Sequence, residues 1–203
     1  MKKGKLIAVF LGMTFFCTMA LYGQNEFKKE FDKKFKASES TTMQLVNKYG
    51  EMHIENWTEN VIQVKVTITV RTSNESKAER TFGKIDITFA ENGNLVSATT
   101  ELNDGINNTD FSIDYDVKIP KYINVDLSNK YGNLFLDQLD GHASIEVKYG
   151  NFTINKLTRE NEKPTNYIGI GYSSGYCTIG ECGWLKLESA YSKVGIESAT
   201  ALI

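Results

Sequence analysis

Histidine is almost absent from this 203-residue chain, in which His53 and His142 are the only two. A histidine-based triad or metal site would need both to converge with further partners, and no motif supplies them. Cysteine is nearly as scarce: Cys17, Cys177 and Cys182. The Cys-x4-Cys pair lacks the additional Cys or His ligands that a zinc site needs, so no metal and no cofactor is expected. There is also no run of basic residues beyond the first turn of the chain. Lys2, Lys3 and Lys5 leave 20 bases against 25 acids in the remainder, a net charge of −5. Such a chain repels a polyanion, which argues against a nucleic-acid partner. Proline occurs twice, and Pro164 falls in the polar run "TRENEKPT" at 158–165.

What is present starts with a leader. The basic "MKKGK" precedes "LIAVFLGMTFFCTMALYG", which carries no charge, and "QNEFKKEFDKKFK" then stops the apolar run abruptly. Residues 1–23 read as a secretory signal cut after Gly23, with a retained N-terminal anchor as the alternative. Lipid attachment at Cys17 is disfavoured by bulky Phe16 before it and by the apolar residues after it. Membrane contact is expected only through this segment.

Three phrases then repeat: "NKYGEMHIENW" at 47–57, "NKYGNLFLDQL" at 129–139 and "VKYGNFTINKL" at 147–157. Aligned on Φ-x-Φ-x-x-Φ, the first column holds Met52, Leu134, Phe152, Cys177 and Val194. The second holds Ile54, Leu136, Ile154, Ile179 and Ile196, and the third Trp57, Leu139, Leu157, Cys182 and Ala199. The second column is spaced by 82, 18, 25 and 17 residues. A period near 18 fits solenoid rungs, each too short to be stable alone, whose stacking buries the Φ columns as continuous ladders. The excess in the 25-residue interval is the loop 158–165. Gly50, Gly132, Gly150 and Gly175 fall where the chain turns before each strand, a place for glycine's conformational freedom. In these ladders Cys177 and Cys182 replace Phe and Leu, which favours packed thiols over the disulfide that an exported chain also permits.

The interval of 82 contains an insert at 61–127 with strict alternation. Ile62, Val64, Val66, Ile68 and Val70 share one face, and Phe111, Ile113, Tyr115, Val117 and Ile119 share another, as in antiparallel strands over a core. "AENGN" at 90–94 is a hairpin turn. "NESKAERTFGK" at 74–84 is a short helix with Asn74 or Ser76 as its cap. Phe27, Phe31 and Phe35 are four apart, which suits either an amphipathic helix over 25–36 or a lead-in strand. The organisation expected is therefore a leader at 1–23, a lead-in and first rung at 24–60, the antiparallel unit at 61–127, and rungs at 128–203. The last rung stops at Leu202 and Ile203 without a polar cap, and reads as a piece of a longer protein.

Signs of chemistry are thin. The outward acids (Glu55, Asp137, Glu197) are interrupted by Asn155 and Gly180, whereas paired-carboxylate catalysis needs two acids held close. "LNDGINNTD" at 102–110 is rich in oxygen ligands, but it lacks the spacing of a calcium loop and reads as a turn. Ser173 and Ser174 in "GYSSGY" do not fit the serine-elbow pattern. The candidates for surface recognition are Tyr49, Tyr131, Tyr149, Tyr172 and Tyr191, which recur at the turn. In a row they would offer aromatic surface to glycan rings or to a protein, or else stack on one another and shield the corner.

The leader, "NKYGEMHIENW", "VIQVKVTITV", "FSIDYDVKIPKYINVDLSNKYGNLFL", "YGNFTI" and "YSKVGI" together resemble the bacterial exported putative-adhesin family with β-strand repeats, related to auto-transporter-type head domains. The resemblance runs over nearly the whole of the chain after the leader and rests on structural motifs, not catalytic ones. It implies a β-solenoid-like fold in the envelope of a Gram-negative bacterium, and it carries over no catalytic residue. The expected protein is an all-β, non-enzymatic, exported repeat protein in the periplasm, the outer membrane or at the cell surface. Its role would be adhesion or scaffolding, with an unknown protein or glycan ligand. The alternatives are a carbohydrate-active solenoid enzyme and a periplasmic sensor or scaffold partner.

Overall fold

The structure is a computed structural model that describes residues 25–103, 105–106 and 108–203. The leader, its alternatives as anchor or lipid site, and part of the 102–110 loop lie outside the described residues. The protein is all-β with one short helix: β1 (Asn25–Lys36), β2 (Thr42–Lys48), β3 (Met52–Asn56), β4 (Val61–Thr72), α1 (Glu75–Phe82), β5 (Ile85–Asn92), β6 (Leu95–Leu102), β7 (Asp110–Ile119), β8 (Asn124–Lys130), β9 (Leu134–Leu139), β10 (Ala143–Lys148), β11 (Phe152–Leu157), β12 (Asn166–Gly171), β13 (Tyr176–Ala190) and β14 (Lys193–Leu202).

The strands form one mixed sheet in the order β1-β4-β7-β3-β9-β11-β13-β12-β10-β8-β2-β6-β5, with β14 added on β13. The sequence predicts a stack of rungs with a separate antiparallel insert. The sheet instead curls into a nearly closed, barrel-like shape. Its end strands meet through the rings of Phe31 and Phe89, whose centroids are 6.4 Å apart. The closing pieces are antiparallel: β1 on β4, β4 on β7, and β5 on β6. Yet β6 pairs parallel with β2, and β7 parallel with β3, so the insert continues the parallel region.

Between those ends the pairing is parallel and in the register of the repeats. Ile54 faces Leu136, Leu136 faces Ile154, Ile154 faces Ile179 and Ile179 faces Ile196. The first four are fully buried, while Ile196 packs half-buried against the same core. One wall runs through β3, β9, β11 and the first half of β13, the other through β2, β8, β10, β12 and its second half. The inward side chains of both walls form one apolar cluster. In the third column Leu139, Leu157, Cys182 and Ala199 stay in register. Trp57 is only half-buried, and its indole N–H donates to the Val61 carbonyl at 2.6 Å.

Residues 25–36 are a strand, not a helix. A spacing of four is a multiple of the strand period as well as close to a helical turn, so Phe27, Phe31 and Phe35 share one face either way. They lie opposite Val70, Val66 and Ile62, whose burial the strand extends. The helix forms where its cap stands: Asn74 accepts from the Lys77 amide at 3.0 Å, and Ala78, Thr81 and Phe82 face the core. At the hairpin, Gly93 holds φ +59° between the paired Asn92 and Leu95, as the first central residue of a type II′ turn does.

Cys177 and Cys182 are free thiols, 0% and 6% exposed. Burial pushes the Cys182 thiol above its usual range, which lowers its thiolate fraction further. A disulfide-exchange dye is therefore expected to titrate neither cysteine of the folded protein promptly, and both after urea unfolding. Rapid labelling under native conditions would contradict the packing of both thiols.

Candidate functional site: a tyrosine column at the corner

Each rung turns through a Tyr-Gly or Tyr-Ser pair, and the structure divides the work differently from the sequence expectation. The left-handed residue is the tyrosine: Tyr49, Tyr131, Tyr149, Tyr172 and Tyr191 all have φ between 51° and 62°. The glycine has ordinary φ but no room for a side chain. A Cβ at Gly50, Gly132 or Gly150 would stand 1.9, 1.8 or 2.0 Å from the carbonyl oxygen of Ile113, Gly50 or Gly132. These glycines permit rung-to-rung contact of the backbone.

A left-handed tyrosine costs roughly 1 kcal/mol. The return is geometric. The five rings form a column with successive centroids 4.9 to 5.2 Å apart and planes within 16° of parallel. Phe111 closes one end by tilting against Tyr49 at 5.5 Å. Each interior ring makes two stacked contacts, worth about 0.5–1.5 kcal/mol apiece, enough to offset the backbone strain. From Tyr49 to Tyr172 the faces are consumed by neighbouring rings, so it is edges and hydroxyls that meet solvent there. Exposure is 40–51% for the first four and 80% for Tyr191, which has a neighbour on one side only.

Inside the corner are two buried asparagines that the "NKYG" phrase carries and that sequence reasoning missed. Asn47 donates to the Ile113 carbonyl at 2.9 Å. Asn129 donates to the Gly50 and Asn133 carbonyls at 3.1 and 3.0 Å. Both are 1% exposed. They donate to backbone carbonyls at the tight turn. The Asn133 carbonyl also accepts from the Met52 amide at 2.9 Å, while Asn129 Oδ1 has no hydrogen-bond partner among the described residues. The third copy has Val147 there, so the signal was two asparagines in three phrases. Asn129→Ala is expected to cost about 1–3 kcal/mol in chemical unfolding, because the buried Gly50 carbonyl loses this donor. A change of under about 0.5 kcal/mol would show that water or a backbone shift takes over.

Outside the corner, polar side chains follow the same rung spacing. Asn133 Nδ2 donates to Glu51 at 3.3 Å, Asn151 donates to Asn133 Oδ1 at 3.2 Å, and the Ser173 hydroxyl donates to Asn151 Oδ1. Ser173 is thus part of this ladder. The two histidines are not brought together. His53, on β3, stacks on Phe135 at 4.6 Å and contacts Glu55 at 2.9 Å. His142, before β10 on the other wall, contacts the Thr165 carbonyl at 3.2 Å, and burial holds its pKa below the usual imidazole value. Asp137 accepts from Asn155 at 3.0 Å.

No family model and no curated protein matches this sequence. A "putative cell adhesion protein" of Clostridium sporogenes is similar in structure, with a TM-score of 0.51 at 12% identity over 85% of this chain and 100% of that one. They share a fold. At that identity the likeness says nothing of activity. A "putative adhesin" of Parabacteroides merdae aligns over 84% of this chain and 80% of its own, with a TM-score of 0.31 and 10% identity.

Proposed function

We propose that this is an exported, non-enzymatic protein of the cell envelope that acts as an adhesion or scaffolding module, and that its parallel part is a short β-solenoid. The observation that carries this reading is the corner column. Five stacked tyrosines present a fixed row of edges and hydroxyls, held by backbone contact between rungs. Such a row is pre-organised for recognition, because little side-chain freedom is lost when a ligand binds. The fold shared with a clostridial protein named for cell adhesion supports the same reading, as does the charge-poor leader of the sequence. A glycan or a protein is the ligand class, and no cofactor takes part.

Protease shaving of intact cells beside osmotically shocked cells, followed by immunoblot, tests the placement on which adhesion depends. Loss of the protein from intact cells is the expected result. Protection until the outer membrane is breached would remove the adhesion role and leave scaffolding of a periplasmic partner.

A further inference from the structure

The residue before each of the first three corner tyrosines is a lysine: Lys48, Lys130 and Lys148. The parallel register puts them in one line, Lys48 opposite Lys130 and Lys130 opposite Lys148. Neighbouring strands are about 4.8 Å apart, so three ammonium groups emerge from Cα positions at that interval beside the tyrosine column. Like charges placed directly across a ladder repel. Among the described residues no carboxylate lies within ion-pair distance of any of the three. Instead, Lys130 Nζ sits 4.8 Å from the ring centre of Tyr131 and 5.7 Å from that of Tyr149. The only carboxylate on the outward face of β10 is Glu146, one pleat before Lys148.

The line does not end in a wall. On the next two strands the positions in register with Lys148 are Gly171 and Ala190. These small residues leave a groove of about 400 Å³ lined by Lys148, Gly171 and Tyr172, with Glu146 and Glu188 also on its lining, so the anions of a ligand belong on the lysine line and its uncharged ring atoms in the groove. A cationic line therefore runs into an open trough with a tyrosine edge along one side; the other lysine-rich stretch, β1, has Glu26, Glu30 and Asp32 interspersed among its lysines.

We infer that this edge binds a linear acidic polysaccharide, with the anionic groups on the lysine line and the sugar rings along the tyrosine edges and the glycine trough. The inference rests on the adhesion reading and names its ligand. A polymer with one carboxylate or sulfate per sugar advances by about one strand spacing, roughly 5 Å, per charge, so successive anions meet successive lysines. Edges and hydroxyls of stacked tyrosines suit sugar hydroxyls, whereas a base would need a ring face, and from Tyr49 to Tyr172, the stretch beside the lysine line, those faces are occupied. That difference favours a glycan over a single-stranded nucleic acid.

The test immobilises polygalacturonate, dextran sulfate and uncharged dextran, and measures binding of the full chain against two triple variants with matched thermal midpoints. One is Lys48→Gln/Lys130→Gln/Lys148→Gln. The other removes the same charge from β1: Lys28→Gln/Lys33→Gln/Lys34→Gln. The expected result is binding to one or both acidic polymers and not to dextran, with a log–log salt slope of magnitude up to about three. The corner variant should lose about tenfold or more in affinity, and the β1 variant less than twofold. Equal losses in the two variants, or tighter binding to oligo-dT than to either polysaccharide, would overturn the inference. Attachment of cells producing each variant is scored in parallel. Attachment that survives in the corner variant, with no polyanion binding by the purified protein, would overturn this ligand while leaving adhesion in place. Polyanion binding without attachment would do the reverse.

Discussion

Gly132→Ala is expected to abolish the stable fold, although it adds one methyl group to a residue with an ordinary backbone conformation. The new Cβ would lie 1.8 Å from the Gly50 carbonyl oxygen and 2.5 Å from its carbon. Both obstacles are backbone, so no rotamer change relieves them. The rungs would have to separate by more than an ångström, at the place where Met52 donates to Asn133 and Tyr49 donates to Lys130, each at 2.9 Å. Relief of one contact also strains the next, since Gly150 leans on Gly132 in the same way. The cost should exceed about 3 kcal/mol, the upper end for overpacking and a large part of a domain's stability. Gly83→Ala is the control, because its Cβ would meet only ordinary contacts at 3.6 and 3.7 Å. Urea unfolding followed by far-UV circular dichroism decides it. A Gly132→Ala midpoint equal to that of Gly83→Ala would mean that the rungs do not touch at the corner.

Ile154→Asp should be as damaging by a different route. Ile154 is fully buried in the middle of the second Φ column, between Leu136 and Ile179 on the adjoining strands. An aspartate there has no partner and must be buried charged, or take up a proton at a cost that grows with pH. Because the column is shared, β9, β11 and β13 should lose protection together, with a loss of about 4 kcal/mol or more. Hydrogen exchange on the surviving folded fraction reads this directly. Damage confined to β11, or thermal unfolding like that of the unsubstituted protein, would show that the columns do not act as one body.

The residues behind these two expectations differ in how legible they were. Ile154 could be placed from sequence, because an apolar pattern repeated at fixed spacing is what in-register parallel strands require. The start of α1, with Asn74 or Ser76 open as its cap, and the hairpin turn at 90–94 were likewise written in local chemistry. The work of Gly132 was misread. A positive φ is associated with glycine, so the glycine of "YG" drew the turn, while the tyrosine carries it and the glycine keeps neighbouring backbones in contact. Contact between rungs that are distant in sequence leaves no local trace. The same limit hid the parallel joining of β6 to β2 and β7 to β3. Alternation in "FSIDYDVKI" says that one face is buried, not which strand lies beside it. For 25–36 the ambiguity was arithmetic, since a spacing of four serves a strand and nearly serves a helix. The lysine line at the corner was visible as "KYG" three times over, but its meaning needed the register that puts those lysines side by side.

The loop at 158–165 lengthens one rung, yet the strands on either side keep their partners: Leu157 remains opposite Leu139, and Tyr167 opposite Ser144. Alignment is therefore held by the walls and not by the length of the connection. The loop is tied to itself, with Arg159 donating to the carbonyls of Lys163 and Pro164 at 3.3 Å, and it leans on the walls at its roots, through Thr158, Arg159 and Thr165. An outward excursion of this kind is a natural graft point. A foreign epitope spliced between Glu160 and Lys163 would be displayed on a rigid scaffold whose columns never register the change in chain length.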